Sequence, residues 1–347
     1  MTDIAFHLLN DFQRDFPLAS APFSVIADRL GANETDVLET LRHLHACGKV
    51  SRVGAVFRPH SIGASTLAAL AVPAEKLDEV AQLVSSYTEV NHNYEREHSY
   101  NLWFVVTAAD ELRILKVLDE IWQRTGYQPL HLPMIEDFHI DLGFDLLRPH
   151  QGRNTSTTRS ADSVAPPSEP PLSLPFETAL IGAIQKGFPL VERPFAEIGA
   201  GIGLAESEVM AGLAHLAAKG TIKRMGVIVR HRELGYRANA MVVWDIPNDQ
   251  VGKVGQSIGS FGAVTLCYRR PRRLPGWRYN LFTMIHGCRS DEVLEMVEQL
   301  KNQCGLNDTA CAVLFSRRCF KQCGAQYVPS PLPEFSGTRH AASANAI

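Results

Sequence analysis

The sequence predicts an α+β protein in which one two-part architecture occurs twice, the copies forming a pseudo-dimer within a single chain. Three observations predict it: an internal repeat at a nearly constant offset, a Ser/Thr/Pro-rich break near the middle, and a shared order of helix-like and strand-like segments in each half.

The repeat is read directly. Phe16-Pro17-Leu18 recurs 172 residues later as Phe188-Pro189-Leu190, and Pro22-Phe23 recurs as Pro194-Phe195. Leu44, Gly48, Arg52, Gly54, Arg58 and Gly63 recur as Leu216, Gly220, Arg224, Gly226, Arg230 and Gly235. Tyr94 matches Tyr268 at offset 174, and Tyr100-Asn101-Leu102 matches Tyr279-Asn280-Leu281 at offset 179, so the second copy carries five extra residues between those anchors. The break at 148–175 is rich in Ser, Thr and Pro and lacks apolar periodicity, which predicts a flexible linker.

Within the first copy, residues 3–12 suit a helix, Phe23–Leu30 a second, and Glu34–Cys47 a third with an apolar stripe at Val37, Leu38, Leu41 and Leu44. Asn33 stands at its cap position and Gly48 at its stop. Lys49–Phe57 then alternates like a short hairpin around Gly54, completing a winged helix-turn-helix. Strand-like 65–72, helical 75–86, strand-like 88–94 and 100–107, helical 110–125 and strand-like 128–135 follow, the βαββαβ order of a ferredoxin-like domain. The second copy repeats it with strands near 238–246, 262–270, 277–286 and 308–316. The expected boundaries are 1–62 and 63–147 for the first copy, 176–234 and 235–330 for the second, and a disordered tail at 331–347.

Composition narrows the function classes. The 347 residues include 34 basic and 37 acidic side chains, a net charge of −3, so no global basic field points to nucleic acid or an anionic membrane. No apolar run approaches the ~20 residues of a membrane helix, and the N-terminal segment lacks a secretory pattern. Seven cysteines, six of them in the second half, lack metal-ligand spacing and read as reduced thiols of a cytoplasmic protein. No phosphate-binding loop or nucleophile elbow occurs. The recognition-helix segments are acidic: residues 33–49 carry Glu34, Asp36 and Glu39 against Arg42 and Lys49, and 204–220 carry Glu206 and Glu208 against Lys219. Such helices would meet phosphate repulsion, so the helix-turn-helix units are expected to serve as scaffold and dimer surface, without nucleic acid as a partner.

Polar chemistry concentrates in NHNYEREHSYNLWF, residues 91–104. On an extended strand His92, Tyr94, Arg96 and His98 share a face that in an ordinary core would be apolar. Histidine exchanges protons near neutral pH and also ligates iron. The matching stretch of the second copy, CYRRPRRLPGWRYNLF (267–282), replaces histidine by Arg269, Arg270, Arg272, Arg273 and Arg278, which predicts an anionic partner bound by guanidinium groups. Arg52 and Arg58 with Arg224 and Arg230 occupy equivalent wing positions, where a shared binding task and a bridge between repeats are equally simple readings. The tails EDFHIDLGF (136–144, with His139) and SRRCFKQCG (316–324) are acidic and basic respectively. One half therefore reads as proton-active and the other as anion-binding.

Winged helix plus ferredoxin-like domain resembles the leucine-responsive (Lrp/AsnC) regulators. The block HNYEREHSYNLWF, with GKVSRVGAVF, GTIKRMGVIV and SRRCFK, closely resembles an enzymatic branch, the siroheme decarboxylases, in a fused two-subunit form. The resemblance covers the chain apart from the linker and the tail. It implies a carboxy-lyase that removes two acetate carboxylates from siroheme without oxidation, giving 12,18-didecarboxysiroheme toward heme d1 or, by an alternative route, heme. It implies no cofactor beyond the iron-tetrapyrrole substrate and no metal held by the protein alone. It also allows hand-over to other tetrapyrrole-pathway enzymes and further homo-oligomerisation.

Carried onto this chain, His92 and His98 are the proton donor and the ligand of the substrate iron, in either order. Tyr94, Arg96 and Tyr100 support them. Arg269, Arg270, Arg272, Arg273 and Arg278 hold substrate carboxylates, with Arg52, Arg58, Arg224 and Arg230 as second choices and His139 a weaker candidate. The second copy has Cys267 and Tyr268 near the places of His92 and Tyr94 and nothing matching His98, so a full second centre is not expected there. Two alternatives keep the fold: a transcriptional regulator sensing a small anion, and a tetrapyrrole carrier.

Overall fold

A computed structural model of the chain describes residues 3–58, 61–140 and 174–328. The expected linker, apart from its last two residues, and the expected tail lie outside the described residues. In chain order the first half contains α1 (Asp3–Asn10), α2 (Pro22–Leu30), α3 (Glu34–Ala46), β1 (Val50–Phe57), β2 (Ala64–Leu70), α4 (Leu77–Ser86), β3 (Val90–Arg96), β4 (Leu102–Ala108), α5 (Glu111–Thr125), β5 (Leu130–Pro133) and β6 (Glu136–Ile140). The second contains α6 (Leu174–Ile184), α7 (Pro194–Ile202), α8 (Glu206–Ala218), β7 (Ile222–Val229), β8 (Ala238–Trp244), α9 (Val251–Gly259), β9 (Val264–Arg269), β10 (Leu281–Gly287), α10 (Ser290–Cys304) and β11 (Cys311–Gln322). Among the described residues no helix is long and apolar enough to cross a membrane.

Helix starts follow from local chemistry. Pro22 and Pro194 open α2 and α7, where a missing N–H costs nothing. The Asp110 carboxylate caps α5, accepting from the Arg113 N–H at 2.8 Å. The predicted stripe Val37, Leu38, Leu41 and Leu44 is buried, and it packs with Leu180, Leu213 and Leu216 into one core shared by both helix-turn-helix units. The repeated Phe-Pro-Leu motifs meet there, with the rings of Phe16 and Phe188 5.7 Å apart.

The wing differs from the predicted hairpin. β1 is one continuous strand, and its antiparallel partner is β7 of the other repeat, with Gly54 facing Gly226. Gly54 marks no turn. A Cβ on it would lie 2.9 Å from Gly187 Cα, and one on Gly226 would lie 2.3 Å from the Gln13 carbonyl oxygen, so both glycines admit the backbone of a neighbouring segment. The arrangement is two-fold: the Arg58 N–H donates to the Thr221 carbonyl and the Arg230 N–H to that of Lys49, each at 2.9 Å.

The remaining strands form one antiparallel sheet of order β5-β2-β4-β3-β11-β8-β10-β9-β6. β5 and β6 are separated only by Met134 and Ile135, so the sheet curls back on itself. Segments 136–140 and 316–322, which apart from Ser316 lie beyond the strands that the sequence pattern predicted, carry out the exchange. Cys311–Phe315 pairs with β8 of its own half, while Ser316–Gln322 continues onto β3 of the other. Likewise β5 stays on β2 and β6 crosses to β9. Each fourth strand thus completes the partner half's sheet. The outer face packs on α4 and α5 in one half and on α9 and α10 in the other. The inner face encloses Trp103, Leu132, Met241, Trp277, Phe282 and Leu314.

The repeated Tyr-Asn-Leu anchor has a structural cause. Asn101 accepts from the Val72 N–H at 3.0 Å and donates to the Val72 carbonyl at 2.8 Å. Asn280 does the same to Ile246, at 2.9 Å each way. An asparagine, half-buried at Asn101 and buried at Asn280, in this way replaces two strand hydrogen bonds in each half.

Candidate active site

β3 sets the site. Asn93 turns outward and donates to the Ala81 carbonyl of α4 at 3.0 Å. His92, Tyr94 and Arg96 therefore face inward, as the alternation predicted, with Tyr94 paired to Trp103 of β4. The His92 and Tyr94 rings are stacked at 6.3 Å, and the Arg96 guanidinium lies 5.9 Å from the centre of the Tyr94 ring.

The hydrogen bonds of the two histidines distinguish them. Asn91 donates its amide to Thr107, and its Oδ1 lies 2.9 Å from His92 Nδ1. That oxygen only accepts, so the His92 proton is assigned to Nδ1 and a lone pair is left on Nε2. Burial, aided by the Arg52 charge, pushes the His92 pKa down to about 4. His98 lies past the end of β3, where its Nδ1 accepts from the Tyr100 N–H at 3.0 Å. Its proton is therefore assigned to Nε2, and burial lowers its pKa as well.

The arginine loop of the second half packs onto this hairpin. Trp277, which the sequence reading passed over, is 1% exposed and its ring contacts His98 at 5.4 Å, Tyr100 at 5.9 Å and Trp103 at 5.1 Å. The five arginines divide into groups. Arg270 is buried over the Tyr268 ring at 4.9 Å. Arg272 and Arg278 both bind Asp245, with N–O distances of 2.6 Å in each pair. Arg273 reaches out to the His131 carbonyl at 2.8 Å, and Arg269 stands opposite Glu136 in the β9–β6 register.

Arg96 and Arg270 are equivalent. Both follow a tyrosine by two residues at offset 174, a match that the Tyr94–Tyr268 alignment already contained. Arg96 donates to the Leu314 carbonyl at 3.0 Å, and Arg270 donates to that of Leu132. Burial lowers the pKa of both, that of Arg96 to about 10. Burial pushes the Tyr268 hydroxyl up, with Arg270 and Arg96 opposing that shift, so both guanidiniums reach this one phenol. Neither arginine forms an ion pair among the described residues, and Arg270 Nε has no partner. Buried cations without carboxylates are costly and suited to receiving anions.

The wing arginines have separate surroundings. Arg52 reaches from β1 to His92, and its charge also acts on Cys323 and Tyr327 beyond β11. Its Nε, like that of Arg230, is buried without a partner. Arg224 donates to the Gln13 carbonyl, and Arg58 is exposed. Among the described residues Arg52, Arg58 and Arg230 form no ion pair with the opposite repeat, so the expected bridge between repeats is not found at these three positions. His139 pairs with Cys267 and lies beside Gly259 of α9, on the helix-covered face away from His92. The basic tail is engaged as well: Arg317 with Glu97 at 3.0 Å, and Arg318 with Glu95 and Asp78.

Residues 61–139 and 233–321 match the AsnC-like ligand binding domain, and residues 7–50 and 177–222 match the siroheme decarboxylase NirDL-like HTH domain. The chain is 43% identical over 327 residues to the siroheme decarboxylase NirDL subunit of Paracoccus pantotrophus, covering 94% of this chain and 97% of that one. It belongs to the siroheme decarboxylase NirDL family. A crystal structure of the siroheme decarboxylase NirDL, 30% identical, superposes with a TM-score of 0.67 over 95% of this chain and 96% of the other. A second, in complex with an iron-uroporphyrin III analogue, gives 0.64 over 94% and 93% at 30% identity. The two matches of each domain model coincide with the two repeats of the chain. The inner face carrying His92, Tyr94, Arg96, Tyr268 and Arg270 is built by both AsnC-like domains.

Proposed function

We propose that this chain is a siroheme decarboxylase, a carboxy-lyase that removes two acetate carboxylates from siroheme as CO2 and replaces each by a proton. The product is 12,18-didecarboxysiroheme, placed toward heme d1 or, by an alternative route, heme. The observation that carries this reading is the inner face itself. A histidine with a free lone pair, two tyrosines and two buried guanidiniums without acidic partners line it. A related structure holds an iron-uroporphyrin analogue.

Arg96 and Arg270, with Arg52 beside His92, offset the charge of a substrate that carries eight carboxylates. Arg272 and Arg278 act indirectly, fixing the loop through Asp245. Arg269 and Arg273 meet carboxylates nearer the rim, and Arg58, Arg224 and Arg230 brace the wings. Breaking the bond between an acetate methylene and its carboxylate leaves a carbanion that the conjugated ring delocalises, and a proton must then reach that carbon. His92 Nε2 is the group for this step, since protonation there keeps the Nδ1–H bond to Asn91. Substrate carboxylates that pair with Arg52 remove one cause of the low His92 pKa and favour the imidazolium. His98 cannot take a proton at Nδ1 without facing the Tyr100 N–H, so its Nε2–H orients a carboxylate, with Tyr94 and Tyr100 beside the ring. The iron belongs to the substrate, and no further cofactor takes part.

The helix-turn-helix units act as a pairing device. Arg42 of α3 is bonded to the Leu190 carbonyl, and Glu206 of α8 accepts from Ser20 and pairs with Arg193. These contacts favour an enzyme without nucleic acid as partner; the cytoplasmic location rests on the cysteines, which are read as reduced thiols. Anaerobic incubation with siroheme and mass spectrometry of the extracted ring tests the reading. Successive loss of one and two CO2 is expected. Bound but unchanged siroheme would indicate a carrier, and absence of binding would return the chain to the regulators.

A further inference from the structure

We infer that one centre, at His92, performs both decarboxylations, and that the ring leaves after the first, turns over and rebinds for the second. This rests on the decarboxylase reading above.

The register superposes the halves residue by residue. Gln322 opposite His92 corresponds to Ile140 opposite Leu266, and Cys319 opposite Tyr94 corresponds to Asp137 opposite Tyr268. Tyr94 and Arg96 are therefore duplicated as Tyr268 and Arg270, but the counterpart of His92 is Leu266. The counterpart of His98 at the same offset is Arg272, which is clamped to Asp245. The second half does hold a buried histidine near Leu266, on β10. Its nitrogens are engaged: His286 Nε2 lies 3.0 Å from the Asn239 amide and Nδ1 lies 3.1 Å from Thr265 Oγ1. Among the described residues the anchoring groups occur twice and the proton carrier once.

The two acetates impose the rest. They lie on neighbouring pyrrole rings in mirror order, with two propionates between them. A quarter turn in the plane brings a propionate to the place of the first acetate. Only turning the ring over exchanges the acetates. A disc of four substituted pyrroles is wider than the roughly 10 Å that separates packed sheet layers, so it cannot invert inside the curled sheet. A pseudo-two-fold set of anchors, Tyr94 with Arg96 and Tyr268 with Arg270, accepts either face of the ring. Each event releases one CO2 and consumes one proton from His92, which is replaced from solvent before rebinding.

Two measurements test this. His92→Gln should bind siroheme, as read by its absorbance, yet lose both CO2 releases by the same factor, on the order of a hundredfold or more. Mono-decarboxylated ring formed at the normal rate and left unconverted by that variant would reveal a second centre and overturn the inference. With wild-type protein and substrate in large excess, mono-decarboxylated ring should accumulate in the ultrafiltrate beyond the protein concentration. Conversion straight to the doubly decarboxylated ring, with the intermediate never exceeding the protein, would also overturn it. Wild-type protein that releases no CO2 refutes the decarboxylase reading itself, an outcome distinct from either of these.

Discussion

Arg96 and Arg270 hold one position in the two halves, and each guanidinium crosses to a main-chain carbonyl on the fourth strand of the other half, Leu314 and Leu132. A group kept only to join strands would not need a charge. Burying a guanidinium without a carboxylate costs several kcal/mol, which a neutral side chain of similar length avoids. Arg96→Met and Arg270→Met are therefore expected to change unfolding free energy by less than about 2 kcal/mol, since one hydrogen bond is lost as a buried charge is relieved. Siroheme affinity should fall by about tenfold or more in each. Denaturant unfolding beside an absorbance titration checks this. A large loss of stability with unchanged affinity would make the pair purely structural.

Gly226 and Gly54 give an ordered pair of expectations for the ribbon that joins the halves. A Cβ at Gly226 would sit 2.3 Å and 2.4 Å from the carbonyl oxygen and carbon of Gln13, whereas one at Gly54 would sit 2.9 Å from Gly187 Cα. Backbone cannot rotate aside as a side chain can. Gly226→Ala should cost roughly 3 kcal/mol or more and Gly54→Ala roughly 1–3 kcal/mol, the range for overpacking in a close-packed interior. Thermal unfolding of both variants would show the order, and equal, small shifts would contradict it.

This ribbon also marks how far the sequence could be read. Periodicity placed the helices and the central strands and put His92, Tyr94 and Arg96 on one face, because alternation and helical spacing are local properties. Choosing a partner is not local. Lys49–Phe57 carries the pattern of a strand, but nothing in it distinguishes folding back on itself from pairing with Ile222–Val229, a segment more than 160 residues away. The same holds for 136–140 and 316–322, whose short and partly charged runs become strands only because β9 and β3 offer open edges. The arginine loop was legible as a cation cluster. That Asp245 neutralises two of its members depends on a residue 27 positions from Arg272, brought close by the pairing of β8 with β10. The equivalence of Arg96 and Arg270 was within reach, since it follows from the offset of Tyr94 and Tyr268.

His92 should leave a mark on the pH dependence of stability. Its folded-state pKa of about 4 lies below the ordinary 6.5 of a free imidazole, so the unfolded chain binds more protons between those values. Stability contributed by the neutral ring is fully present above about pH 6.5 and is lost as pH falls toward 4, by roughly 2–3 kcal/mol for a shift of that size. His92→Gln should flatten that part of the curve while leaving the region above pH 7 little changed. Melting temperatures from pH 4 to 8 for both proteins check it.

Asp245 is the remaining control point, since it holds the loop that carries Arg270 and Trp277. Burial works to raise its pKa, but hydrogen bonds from Arg272 and Arg278 outweigh this and hold the carboxyl below the usual range. Its contribution is therefore present above about pH 4 and is lost as pH falls through the folded-state value. Asp245→Ala frees two guanidiniums at once, so net positive charge near the site rises. If arginine count alone governed binding, siroheme would bind more tightly. If the position of the loop governs, the lost anchor lets Trp277 move off His98, Tyr100 and Trp103, and binding weakens. The buried ring of Trp277 and its three aromatic contacts favour the second outcome. Asp245→Ala should lower siroheme affinity by about tenfold and stability by roughly 1–3 kcal/mol, the cost of breaking a partly buried charged network. Tryptophan emission should shift to the red as Trp277 meets water. Tighter binding with unchanged emission would show that Asp245 restrains the arginines instead of placing them.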